Sequence, residues 1–412
     1  MDQRVDPIGP GWACTFAVPP SKSVHQRALA LAALADGELA VVPAPGTRPP
    51  GEDVQRCGEA IATLGTWDAG ALGASRPSLA LDLGESGTAF RFAIALAALR
   101  PAGARTLVRA RPVLLQRPHT PLLRALRALG GHVKRRSSGA VRVLGGGLAG
   151  GRTITLDVSR SSQFASALLL VAPRVGGVTI VLRGGGTSRR YLDLTIAMLR
   201  AQGIEVEVDG DVIVVPAGTP SAAPINVPAD ASAAACWWTA AVVAGGAATV
   251  RGLQPDGRQA DLAVLPILAS YGASVHADAD GVTVDGSHGR QAAPERDHDL
   301  TASPDLLFLV GALAAVTPGV TTLRGVAHAR GKESDRIAVL VDGLRALGVE
   351  AALGADDTVR IVGGVPHGGR VDAAGDHRAV FGFGVLGLAV PGVEILGAEV
   401  AAKSQPAFLA DL

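Results

Sequence analysis

Lysine is nearly absent from this chain: of 38 basic Lys and Arg residues in 412, only Lys22, Lys134, Lys332 and Lys403 are lysines. Cysteine is as scarce. Cys14, Cys57 and Cys236 stand far apart, which excludes a disulfide framework or a thiolate metal site and leaves small buried hydrophobes as their expected role. Long apolar runs are missing too. The longest, 306–316, stops at Thr317 and Pro318, short of the roughly 20 residues a membrane span needs. The opening "MDQRVDPIGPGWAC" has an early acid, two prolines and no continuous apolar core, so no secretory signal is expected and a soluble cytoplasmic protein is. A net charge of +1 argues against a broad nucleic-acid face and leaves room only for local cationic pockets. No metal-ligand cluster stands out. "GGGTSRRYLDL" lacks the lysine and spacing of a phosphate-binding P-loop, so it is expected as a turn presenting Arg189, Arg190 and Tyr191.

What is present is an apolar, repetitive chain. At 48% apolar it is globular, and its length predicts two or three domains. An amphipathic helix that stops at glycine, followed by two short alternating strands, recurs along the sequence. The stops are Gly65, Gly130, Gly203, Gly272 and Gly348, with steps of 65, 73, 69 and 76 by subtraction. A period of roughly 70 is long enough for a small α/β unit with its own sheet, and six such units divide into two groups of three. The Pro-, Ser- and Ala-rich stretch 216–230 and the Pro19-Pro20 pair mark the expected crossings. One lobe is therefore expected over 21–228 and the other over 1–20 with 229–412. Ligands favour clefts between such lobes.

Three of the four lysines sit in polar clusters at the starts of apolar helices. "PPSKSVHQRALALAALADG" offers Ser23 as a helix cap with Lys22 and Arg27 in or beside the first turn, the wrong end of the dipole for cations unless an anion joins them. "LGESGTAFRFAIALAAL" repeats the pattern with Gly87 and Arg91, and "SRSSQFASALLL" with Ser161, Ser162 and Gln163. Farther on, "TASPDLLFLVGALAA" places Asp305 at a helix start, and "HARGKESDRIAVL" places Lys332, Glu333 and Arg336. "AGDHRAVFGFG" adds His377 and Arg378, and "AAKSQP" adds Lys403. Helix N-termini and cations facing one cleft suit small, multiply charged anions, with carboxylates available for proton transfer.

Eight segments, "PPSKSVHQRALALAALADG", "GTAFRF", "QRPHTPLLRALRALG", "SSQFASALL", "SPDLLFLVGALAA", "KESDRIAVLVDGLRALG", "DHR" and "AAKSQP", occur in the order and approximate spacing of the enolpyruvyl transferases, which the chain resembles over nearly its whole length. The resemblance is strongest to members acting on shikimate 3-phosphate. It implies a two-lobed α/β fold of three βαβαββ units per lobe, with buried parallel helices and lobes that close on substrate. It also implies transfer of the carboxyvinyl group of phosphoenolpyruvate to the 5-hydroxyl of shikimate 3-phosphate, with release of phosphate. No metal or cofactor is implied. The partners are small anionic substrates, with no nucleic acid and no membrane, and a monomer is expected. Carried over by motif, Lys22, Ser23, Arg27, Ser161, Ser162, Gln163, Tyr191, Asp305 and Lys332 would hold shikimate 3-phosphate. Lys22, Gly87, Arg117, Gln163, Arg336, Arg378 and Lys403 would hold phosphoenolpyruvate. Asp305, Glu333 and Lys22 would carry the proton transfers, with Asp305 at the attacking hydroxyl.

Four positions depart from the family pattern. Glu85 stands where an asparagine is usual, Gln26 and His328 each replace an asparagine, and Pro20 replaces a glycine. A carboxylate at Glu85 facing phosphoenolpyruvate would repel it, so either it points away or the donor site is altered. A paralogue acting on a related cyclic alcohol and a non-catalytic anion-binding relative are the alternatives. The proton-transfer residues speak against the second. The sister enzyme acting on a UDP-sugar normally carries a cysteine in the loop that reads "RARPVLLQRP" here, where there is none.

Overall fold

The structure, a computed structural model, describes residues 1–65, 78–184 and 189–412. The chain forms two compact lobes. Lys22–Val42 and Glu52–Val227 form the first, and Met1–Ser21, Pro43–Gly51 and Pro228–Leu412 the second. The expected span 21–228 is thus interrupted, because Pro43–Gly51 clusters with the second lobe. Gly51 shows why: a Cβ there would lie 2.8 Å from the Lys403 carbonyl, so the segment is seated on second-lobe backbone.

The first lobe has two four-stranded sheets. One runs Leu79–Asp82, Arg105–Arg109, Val141–Leu144, His132–Arg135, and the other Arg152–Asp157, Val178–Arg183, Val212–Val215, Glu207–Asp209. In each, the first two strands are parallel and the later pair forms an antiparallel hairpin placed against the second strand. The second lobe repeats this topology twice. Ala13–Phe16 lies parallel to Ala247–Arg251, followed by Gly281–Asp285 and Ser274–Ala277; Glu295–Asp299 lies parallel to Gly319–Arg324, followed by Val359–Gly363 and Glu350–Leu353. A further parallel pair, Gly369–Asp372 with Val393–Leu396, is completed by the N-terminal strand Gln3–Arg4 running antiparallel. The predicted period is therefore visible as strand topology. All five glycines read as helix stops have positive φ, between 76° and 96°, which a side chain would strain.

Sheets cover the helices, so the helices are apolar on every side. In the first lobe Gly87–Leu99 and Gln163–Val171 are buried along almost their whole length and pack on each other. In the second, Ala231–Ala244, Leu307–Ala315 and His377–Gly387 do the same. Small residues permit this closeness. A Cβ at Gly382 would stand 2.8 Å from the Phe308 carbonyl oxygen. Each lobe closes around its own apolar core, and burying one Leu or Phe side chain contributes about 1.5–3 kcal/mol.

Pro19–Ser21 runs beside Pro228–Asp230: Pro20 bridges Ala229, Ser21 N donates to Pro228 O at 2.8 Å, and Asp230 N to Pro19 O at 2.9 Å. Pro20, with no N–H, fits a position that needs none. Cys57 and Cys236 are buried as expected and burial pushes both thiols up to about 12; Cys14, by contrast, is exposed. Among the described residues no helix is long and apolar enough to cross a membrane.

Candidate active site

In the first lobe the polar residues gather at helix N-termini. The helix Lys22–Leu34 begins at Lys22, so Ser23 lies inside its first turn and is not its cap, a correction to the sequence reading. Lys22 Nζ meets Asp53 Oδ2 at 3.1 Å, and this pairing resolves the cation at the positive end of the dipole. Gln26 is 1% exposed; its Nε2 donates to Asp53 O and Ser86 Oγ, both at 2.9 Å. The residue that looked like a departure is a strut joining three segments.

Arg27 is also a strut. It is 2% exposed, and it donates to Thr195 Oγ1 at 2.7 Å, Ser23 O at 2.7 Å, Tyr191 O at 2.9 Å and Ser166 Oγ at 3.3 Å. A guanidinium has five N–H donors, so one hydrogen on Nη1 stays outside this set. Burial lowers its pKa to about 10. Tyr191 belongs to the helix Arg189–Ala201, so Arg189 to Tyr191 form a helical turn, not the expected connecting turn. Gly185 to Ser188 of that motif lie outside the described residues.

Gly87, Gln163 and Arg117 come together. A Cβ on Gly87 would stand 2.9 Å from Arg91 Nη1, 3.3 Å from Gln163 Oε1 and 3.6 Å from Arg117 Nη1. Arg91, buried, aims the group: its Nη1 donates to Gln163 Oε1 at 2.5 Å and to Gly87 O at 2.9 Å, and its Nη2 to Pro118 O at 3.2 Å. The loop bearing Arg117 is pinned again by His119. Burial, then Arg91, lowers that imidazole to about 3, so the neutral ring donates Nε2–H to Leu114 O at 3.0 Å. Ser161 and Ser162 lead into Gln163–Val171; Ser162 makes no side-chain cap bond, and Ser161 Oγ accepts from Gln163 N at 3.3 Å. Glu85 is paired with Arg111 Nη1 at 3.4 Å, so its charge is partly compensated within its own lobe.

The second lobe carries a denser array. Arg336, 2% exposed, donates Nε to Asp376 Oδ2 at 2.7 Å, Nη1 to Asp305 Oδ1 at 2.7 Å and Nη2 to Glu333 Oε2 at 3.0 Å. Arg378 Nη2 reaches Asp305 Oδ2 at 3.1 Å, and Lys403 Nζ reaches Glu333 Oε1 at 3.0 Å. Asp305 is thus clamped by two guanidiniums and Glu333 by one guanidinium and one ammonium. Burial alone would raise Asp305, but Arg378, Arg336 and Lys332 outweigh it and hold the carboxyl well below its usual range. Asp305 still exposes 21% of its side chain. It is an ionised acceptor open to a ligand.

Local sequence explains the placement. Asp305 sits in the 3-10 turn Pro304–Leu306 that leads into Leu307–Ala315, and Lys332 follows the 3-10 turn Ala327–Gly331. Asp335 caps Arg336–Ala346 by accepting from Ala338 N, and Asp376 caps His377–Gly387 through Arg378 N. Asp376, fully buried, was missed in the sequence although it lies in the "DHR" segment; the cap position was its signal. Asp53 was missed too, its signal being an acid in the first turn of Glu52–Leu64. A third omission is Asp261. It is 1% exposed and bonded by Ser232 Oγ; burial, then Asp305, raises it to about 6 against the pull of Arg378. His328 faces the same cluster, and burial, then Lys332, pushes it down to about 4.

Residues 13–412 match the family described as EPSP synthase (3-phosphoshikimate 1-carboxyvinyltransferase). A 3-phosphoshikimate 1-carboxyvinyltransferase from Methanosphaerula palustris is 35% identical over 99% of this chain and 98% of its own length. One from Syntrophobacter fumaroxidans is 37% identical with the same two coverages. A solved EPSP synthase from Acinetobacter baumannii superposes with a TM-score of 0.78 at 25% identity, covering 100% of this chain and 97% of the other.

Proposed function

The chain belongs to the EPSP synthase family, and from that premise we propose that it transfers the carboxyvinyl group of phosphoenolpyruvate to the 5-hydroxyl of shikimate 3-phosphate, releasing phosphate, in the shikimate route to aromatic amino acids. The observation that carries the reading is Asp305, ionised and partly open between Arg336 and Arg378. Its free lone pairs take the hydroxyl proton as the oxygen attacks C2 of phosphoenolpyruvate. A proton delivered to C3 makes that methylene a methyl group, giving a tetrahedral intermediate. Loss of a methyl proton then expels phosphate as the C2–O bond breaks and the double bond returns. Glu333 and Lys22 are assigned the proton transfers at C3.

Lys22, Ser23, Arg27, Ser161, Ser162, Gln163, Tyr191 and Lys332 are assigned to shikimate 3-phosphate, with Asp305 at its hydroxyl. Lys22, Gly87, Arg117, Gln163, Arg336, Arg378 and Lys403 are assigned to phosphoenolpyruvate. Arg27 and Arg336 have most of their donors on protein acceptors, so their contribution is mainly to fix neighbouring groups, with one remaining hydrogen each for a ligand. Arg378 and Lys403 stabilise charge moving onto the departing phosphate. The protein is assigned to the cytoplasm as a monomer acting on small anions.

The test is phosphate release from phosphoenolpyruvate by the purified protein. Release is expected only when shikimate 3-phosphate is present. Folded protein that releases none at saturating substrate sinks the assignment.

A further inference from the structure

The basic run Lys134-Arg135-Arg136 takes no part in the chemistry above. It lies on the first-lobe sheet that contains Arg105–Arg109, Val141–Leu144 and His132–Arg135. Thr106, Val108, Val141 and Val143 are buried, so alternation turns Arg105, Leu107, Arg109 and Arg142 to the opposite, outer face. Register then orders the cations. Leu107 pairs with Arg142 and Arg142 with Lys134, which sets Arg142 beside the midpoint between Arg105 and Arg109. Those two are about 13 Å apart along the strand at ~3.3 Å per residue. Arg136, bonded through its N–H to Ala140 O, stands at the hairpin end.

Arg105, Arg109, Arg136 and Arg142 line one groove of ≈ 730 Å³, with Ser78 and Ser138 adding hydroxyls at its edges. None of the four has an ion-pair partner among the described residues. The acid nearest in register is Asp82, opposite Arg109, and its Oδ1 accepts from Gly84 N at 3.0 Å. Other first-lobe arginines do meet acids, as Arg111 meets Glu85 and Arg56 meets Glu52. Arg142, set between Arg105 and Arg109, brings like charges close to the Debye length of about 8 Å at physiological salt, and their repulsion destabilises the bare groove.

A compact polyanion removes that repulsion. Guanidinium forks match phosphate oxygens two at a time, and several phosphates in a chain supply the several charges the groove demands. Among the described lining residues there is no aromatic ring to stack a base on, and the four guanidiniums are suited to phosphate. We propose that this groove is a second anion site, separate from the transferase residues, that binds an oligophosphate chain such as inorganic tripolyphosphate or the triphosphate of a nucleotide.

The experiment is calorimetric titration of tripolyphosphate into the full chain, with shikimate 3-phosphate present throughout to occupy any site it prefers. Saturable binding is expected, weakening at least about ten-fold when salt rises from about 50 to about 500 mM. R105A/R142A should weaken it by a further ~ten-fold or more while turnover stays at the wild-type level. Arg124→Ala, an exposed arginine on the helix Thr120–Ala128 outside the groove, should leave affinity unchanged and controls for general charge. ATP in place of tripolyphosphate separates the sources: equal affinity means the phosphate chain alone is read, and tighter binding means the nucleoside adds contacts. No saturable binding, equal binding in the double variant, or equal loss in Arg124→Ala overturns the proposal. Binding that is seen only when shikimate 3-phosphate is left out overturns it as well.

Discussion

Replacing Asp305 by asparagine removes one charge and almost no volume, which isolates the proposed base from its packing. The amide keeps one oxygen to face a guanidinium but turns an NH2 toward the other, so one of the two contacts, at 2.7 Å to Arg336 or 3.1 Å to Arg378, becomes repulsive. A charge-assisted hydrogen bond contributes about 1.5–3 kcal/mol, and a loss of stability of about that size is expected. Turnover falls further. Losing a general base costs roughly 10²–10⁴ in kcat, or about 2.7–5.4 kcal/mol of barrier at 1.36 kcal/mol per factor of ten. Stopped assays of phosphate release give kcat, and urea unfolding gives stability separately. Asp305 is depressed in the fold, so its stabilisation is present above the ordinary carboxylate range and lost as pH falls toward its folded value; D305N should not show that acid-side loss. A folded D305N enzyme with kcat within about ten-fold of wild type refutes the role of Asp305 as base.

Three other substitutions test the surrounding network. Asp261 is raised from 3.8 to about 6, so its neutral form favours folding fully below 3.8 and that contribution is lost as pH rises through 6; the stability of D261N relative to wild type should climb by about 2 kcal/mol between pH 4 and pH 7, read by urea unfolding, and a flat difference refutes it. Asp376→Ala strips two contacts from a buried Arg336 and a helix cap from Arg378 N, and should lower the second lobe's unfolding free energy by about 3–5 kcal/mol; a loss below about 1 kcal/mol would place Arg336's support elsewhere. Gly87→Ala sets a methyl 2.9 Å from Arg91 Nη1, and the forced shift, about 1–3 kcal/mol, should raise KM for phosphoenolpyruvate more than it lowers kcat; an unchanged KM removes Gly87 from that pocket.

Much of this architecture is legible in the sequence because it repeats. Glycine stops need positive φ, alternation marks the strands, and polar residues ahead of alanine-rich helices mark one end of each buried bundle. The acids that set the site's electrostatics were harder to read. Asp53 meets Lys22 across 31 positions and Asp376 meets Arg336 across 40, and neither spacing leaves a periodic trace. Gln26 looked like a deviation because a family pattern says nothing of Ser86, 60 residues away, to which it is tied. Pro43–Gly51 crossed lobes unseen, since nine residues carry no repeat of their own and the contacts that seat them, such as Gly51 against Lys403, are tertiary. The basic run Lys134-Arg135-Arg136 is plain in the sequence, but its alignment with Arg105 and Arg109 needed the register.

The central claim is that C3 of phosphoenolpyruvate gains a proton and later loses one, with phosphate leaving only as the second of those events occurs. Turnover in heavy water followed by mass spectrometry of the product measures this directly. Deuterium in the transferred methylene group is the predicted result, because the transient methyl group holds one solvent-derived hydrogen. Product that forms at full rate with no deuterium in that group contradicts the account.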